Sequence, residues 1–90
     1  MAKEERVLKD LEHIQTYGGR LGARLETGAE ESYYCLEGWK GTQSDPMHLQ
    51  YTIGAESLEW LRDQGYIEFA ALPNGQVELH LTTRGSRDVS

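Results

Sequence analysis

The segment from Tyr66 to Thr82 constrains the fold more than any other stretch of this sequence. Val77, Leu79 and Leu81 alternate with Gln76, Glu78, His80 and Thr82, the period of a strand with one buried face. A second extended run, Tyr66 to Leu72, precedes it across Pro73-Asn74-Gly75, so the two read as a β-hairpin. Turn chemistry then sets the register. A two-residue Asn74-Gly75 turn would place Leu72, Ala70 and Glu68 opposite Val77, Leu79 and Leu81, and so bury an acid. A three-residue loop, with Pro73 in a type I turn and Gly75 left-handed, opposes Ala71, Phe69 and Ile67 instead. That face is wholly apolar, and this is the register expected.

Three helices are expected before the hairpin. From Lys3 to Tyr17 the apolar positions Val7, Leu8, Leu11 and Ile14 fall at helical spacing. Lys3, Glu5, Lys9, Asp10, Glu12 and Gln15 fill the other face, and Gly18-Gly19 follows as a stop. Ala55 to Gln64 repeats the pattern and ends at Gly65. Ser44-Asp45-Pro46 reads as a further helix start, with Asp45 able to cap free amides and Pro46 suited to the first helical position. That helix would run to about Tyr51 before a turn at Thr52-Ile53-Gly54, giving helix-turn-helix spacing. Residues 20 to 44 are glycine-rich. The cluster Tyr33-Tyr34-Cys35-Leu36-Glu37-Gly38-Trp39 suits a strand at about 32 to 38, while Glu30-Glu31 would equally suit a helical first turn, and the glycines a loop.

Leu58-Glu59-Trp60-Leu61-Arg62-Asp63-Gln64-Gly65-Tyr66-Ile67 resembles the LxxLxxxGxI passage from recognition helix to wing in MarR-like and PadR-like winged-helix regulators. Leu81-Thr82-Thr83-Arg84-Gly85 resembles the LTxxG that closes their wing. The resemblance implies an α+β winged helix filling residues 1–90 as one domain: three helices, a C-terminal two-stranded wing, and room for a third short strand. It also implies DNA-binding transcription regulation, with Arg62, Arg84 and Arg87 touching phosphates. Those regulators continue past the wing into a dimerisation helix, whereas this sequence stops at Ser90, which counts against palindromic DNA recognition by that route.

Charge argues against nucleic acid. Fifteen acids against nine bases give a net charge of −6, a field that repels phosphate. No apolar run approaches the ~18 residues of a membrane helix, and the first residues run into a charged amphipathic stretch with no signal core. Cys35 is the only cysteine, so a reducing, cytoplasmic setting is expected. His13, His48 and His80 have no second ligand at helical or hairpin spacing, so no metal is expected. Cys35 has no base nearby in sequence and reads as a structural thiol. Gly18-Gly19-Arg20-Leu21-Gly22 lacks the pattern of a phosphate loop. No catalytic constellation and no cofactor motif emerge, so the chain reads as non-enzymatic.

Projected as a helix, residues 55 to 65 put Ala55, Leu58 and Leu61 on one side and Glu56, Glu59, Trp60 and Asp63 on the other. Three carboxylates here would meet the phosphate backbone in a DNA reader. A large aromatic ringed by acids suits a protein hot spot instead. The expected function is therefore a small regulator or inhibitor that binds a basic surface of another protein through Glu56, Glu59, Trp60 and Asp63. The alternatives are the winged-helix DNA reading and a Trp60 packed beneath residues 20 to 44.

Overall fold

The computed structural model describes residues 3–84. Its elements are α1 (Lys3–Tyr17), β1 (Gly19–Thr27), β2 (Ser32–Thr42), β3 (Asp45–Gly54), α2 (Ala55–Asp63), β4 (Ile67–Ala71) and β5 (Val77–Leu81). The five strands form one antiparallel sheet in the order β3-β2-β1-β5-β4.

The three-helix winged helix is thereby overturned. The expected helix from Asp45 to Tyr51 is the first two thirds of strand β3, and residues 20 to 44 hold two long strands where a single short one at about 32 to 38 was expected. Asp45 does not cap a helix. It closes the β2–β3 turn, pairing with Thr42 and donating its amide to Thr42 Oγ1 at 3.2 Å. Pro46 lies on the sheet's edge strand, where the missing N–H leaves no ladder bond unmade. Alternation decides the matter. Leu49 and Ile53 are buried, while His48, Gln50 and Thr52 are exposed, the period of a strand rather than a helix.

The hairpin register follows the turn argument. Ile67 pairs with Leu81, Phe69 with Leu79 and Ala71 with Val77. Leu72 donates its amide to Gln76, leaving Pro73-Asn74-Gly75 as the loop, with Gly75 at φ +82°. Ile67 and Leu79 are buried, Phe69, Val77 and Leu81 pack against the core, and Ala71 at the hairpin's end is exposed. Both flanking helices end as glycine chemistry dictates. Gly18, at φ +111°, donates to Ile14 O. After α2, Gly65 at φ +84° donates to Arg62 O and Tyr66 to Leu61 O, a Schellman closure.

One set of alternating sheet residues packs with the helices into a single core. Leu21, Ala23, Tyr34, Leu36, Leu49, Ile53, Ile67 and Leu79 meet Val7, Leu8 and Leu11 of α1 and Ala55, Leu58 and Leu61 of α2. The opposite sheet face, with Arg20, Arg24, Glu37, Trp39, His48 and His80, is exposed. Among the described residues one charged side chain is carried inward. Asp10, assigned to the polar face of helix one by its spacing, is only 4% exposed. Its carboxylate accepts Lys40 Nζ at 2.6 Å and Tyr51 Oη at 2.9 Å, which ties α1 to β2 and β3. Burial, and then the Asp10 charge, push the Tyr51 hydroxyl well above the usual tyrosine value.

Candidate functional site

The exposed side of α2 is where the structure gathers most of the residues singled out from sequence. Trp60 projects from it with 49% of its surface exposed, so it is not packed beneath residues 20 to 44. Its ring lies 5.7 Å from that of Tyr66. Trp60, Leu61 and Tyr66, together with Leu8 from α1, line an open hollow of about 650 Å3 whose remaining walls are Ser57 and the carboxylates Glu4, Glu5 and Glu56. No basic side chain is among these lining residues. Packing of the first turn of α1 beside α2 creates this arrangement, because the buried stripes of both helices, Leu8 with Leu11 and Leu58 with Leu61, enter one core.

The predicted acids do not all share this hollow. Glu56 borders it. Glu59 is half-buried and turns toward β2, where Tyr34 Oη donates to its Oε2 at 3.3 Å. Burial, and then the Glu59 charge, raise the Tyr34 pKa above its ordinary value. Glu59 lines instead a second hollow with Glu30, Glu31 and Ser32. Asp63 is exposed at the helix end, its Oδ1 3.2 Å from Arg62 Nε.

The basic residues of the alternative reading come together in part. Arg62 and Arg84 line one shallow hollow beside the hairpin, along with Glu68. Each guanidinium lies over an aromatic ring at 4.9 Å, Arg62 over Phe69 and Arg84 over Tyr66, a placement that uses the cation for local packing. Arg87 lies outside the described residues. Without a helix at residues 45–51, no helix-turn-helix presents α2 to a groove.

The other candidates stay separate. His13 stacks edge-on with Tyr17 at 4.7 Å, His80 Nε2 is 3.2 Å from Glu78, and His48 is exposed on β3. Among the described residues no group of three His, Cys, Asp or Glu side chains is arranged to hold a metal ion. Cys35 is a free, half-buried thiol. No helix among them is long and apolar enough to cross a membrane.

Sequence reasoning missed Glu4, Glu5, Leu8, Ser57, Leu61 and Tyr66 as site residues. Glu4 and Glu5 were visible as an acidic first turn, but only tertiary packing sets them opposite Trp60. Compared with family models, curated proteins and solved structures, the chain gives no match.

Proposed function

We propose that this chain is a non-catalytic binding module, a small regulator or inhibitor that engages a basic surface of another protein through the Trp60 hollow. One observation carries the reading: the exposed Trp60 ring and Tyr66, backed by the buried Leu8 and Leu61, are rimmed by Glu4, Glu5 and Glu56, three acids against the single Arg84 guanidinium that lies over Tyr66. A half-exposed tryptophan in a concave, apolar setting is the usual anchor of a protein hot spot. The acids around it attract and orient a cationic partner and repel an anionic one. The complementary ligand is an apolar side chain flanked by Lys or Arg. A cytoplasmic setting fits the single free thiol of Cys35.

Contact with nucleic acid is the second reading, favoured by the shared placement of Arg62 and Arg84. Against it stand Glu68 in the same hollow, the pairing of Arg62 with Asp63, and the net charge of −6.

Calorimetric titration separates the two. The probes are a Lys/Arg-rich amphipathic peptide with leucine anchors, its acidic counterpart, and random duplex DNA. The expected result is binding of the basic peptide alone, weakened by at least ~2 kcal/mol in Trp60→Ala, the threshold for a hot spot. Thermal unfolding of the same variant should show a loss below the ~3–5 kcal/mol of a buried tryptophan. Duplex DNA should bind more weakly than the ~10⁻⁴–10⁻⁶ M typical of nonspecific DNA-binding proteins. Unchanged peptide affinity in Trp60→Ala, or micromolar, salt-sensitive DNA binding, would reject the proposal.

A further inference from the structure

The free edge of the sheet at β3 carries a pattern that matches itself. In an antiparallel ladder, backbone groups of alternate residues point toward the neighbouring strand and those between point away. Two observations identify the outward set in β3. Pro46 has no N–H to give to β2, and the Thr52 carbonyl accepts Lys3 Nζ from α1 at 2.7 Å. By the alternation, His48 and Gln50 between them also direct their N–H and C=O groups outward, and all four side chains are exposed. Open edges of this length are normally blocked by charge or proline along the strand. Here the blocks lie at Pro46 and Thr52, and the stretch between them is open.

We propose that two copies of this chain pair antiparallel along β3, with Leu49 on the two-fold axis and His48 opposite Gln50 of the second copy, extending one sheet through both. In this register His48 and Gln50 exchange N–H···O bonds in both directions. Thr52 falls opposite Pro46 of the second copy. The Thr52 amide can donate to the proline carbonyl, but proline returns no N–H. The carbonyl left without a donor from the second copy is that of Thr52, which Lys3 already serves. On the helix side, Met47, 59% exposed, meets Tyr51 of the second copy, an apolar and thioether–aromatic contact.

The edge carries no charge that would oppose a second copy as the occupant. Residues 46 to 55 hold no Asp, Glu, Lys or Arg, so this register sets no carboxylate against another despite the net charge of −6. None of the edge residues lines the Trp60 hollow, so this pairing stands or falls independently of the proposed function.

Sedimentation equilibrium over a wide concentration range, combined with amide hydrogen exchange, tests the pairing. The expected result is a reversible dimer in which the His48 and Gln50 amides, solvent-facing in the monomer, slow as concentration rises. Gln50→Pro removes an N–H that the chain's own sheet does not use, and should weaken the dimer at least ~10-fold, or ~1.4 kcal/mol. His48→Pro is the second variant, and the wild-type exchange data depend on neither. A monomer at every concentration, a dimer whose His48 and Gln50 amides stay fast, or a folded Gln50→Pro chain that dimerises unchanged would each overturn the proposal.

Discussion

Replacing Asp10 with alanine probes the least predictable contact in this fold. The Asp10 carboxylate is buried and accepts from Lys40 at 2.6 Å and from Tyr51 at 2.9 Å. Losing a hydrogen bond that involves a charged group costs about 1.5–3 kcal/mol, and losing the Tyr51 bond about 1 more. Lys40, with a side chain only 18% exposed, is then left as a poorly solvated ammonium without its counter-charge. Alanine returns about 0.5 kcal/mol through its helix propensity. The net expectation is a loss of about 3 kcal/mol, in line with the strong effect of breaking a buried pair from one side. For a domain of this size that lowers Tm by more than ~12 °C. Urea unfolding should show the same loss without a change in m-value. Adding Lys40→Met to Asp10→Ala removes the stranded charge and should recover about 1–2 kcal/mol, whereas two independent sites would show simple additivity. A loss below ~1 kcal/mol for Asp10→Ala would mean that the residue lies on the solvated side of α1, and would refute this packing of α1 against β2 and β3.

Leu79→Ala, at a position 3% exposed between β1 and β4, should cost about 2–5 kcal/mol in chemical denaturation; a smaller loss would move the core away from the hairpin. At alkaline pH the raised pKa of Tyr51 and Tyr34 predicts falling stability. Each tyrosine stays protonated in the folded chain while its unfolded counterpart ionises near ~10. The stabilisation is therefore full below that value and is lost as pH rises above it, by up to ~1.4 kcal/mol per pH unit for each group. Denaturation midpoints measured from neutral to strongly alkaline pH read this slope, and Tyr51→Phe should flatten it.

What the sequence revealed and what it hid separate along the distance between interacting residues. The hairpin was legible because its loop and its alternation lie within one short stretch, and the wrong register would have buried Glu68. Helices α1 and α2 were legible because Gly18 and Gly65 stop them locally. Strand β3 was misread because Ser44-Asp45-Pro46 serves a helix start and a tight turn into an edge strand equally well. The alternation of Leu49, Tyr51 and Ile53 with His48, Gln50 and Thr52 is present in the sequence, but the start signal at Asp45-Pro46 and the turn at Thr52-Ile53-Gly54 suit helix-turn-helix spacing as well. Strand β1 was hidden in the same way: Leu21 and Ala23 alternate with Arg20, Gly22 and Arg24, yet the glycines read as a loop. Asp10 could not be recognised as buried, since its partners Lys40 and Tyr51 come from strands far along the chain. The sequence left Trp60 between the surface of α2 and a place beneath residues 20 to 44, and the structure puts it on the surface; the departure of Glu59 toward Tyr34 and the arrival of Glu4 and Glu5 depend on how α1 settles beside α2.

The two tryptophans offer the most direct test of the central claim, that the Trp60 hollow is the docking surface. Trp60 lies in the acid-rimmed hollow and Trp39 on the open face of the sheet, so their indole N–H signals in a ¹⁵N-correlation spectrum report on the two faces within one sample. Titration with a Lys/Arg-rich amphipathic peptide should shift the Trp60 indole together with the Glu4, Glu5 and Glu56 amides, saturably and less at high salt, while Trp39 stays in place. Movement of the Trp39 signal with Trp60 unchanged would contradict the account and transfer the binding surface to the exposed face of the sheet.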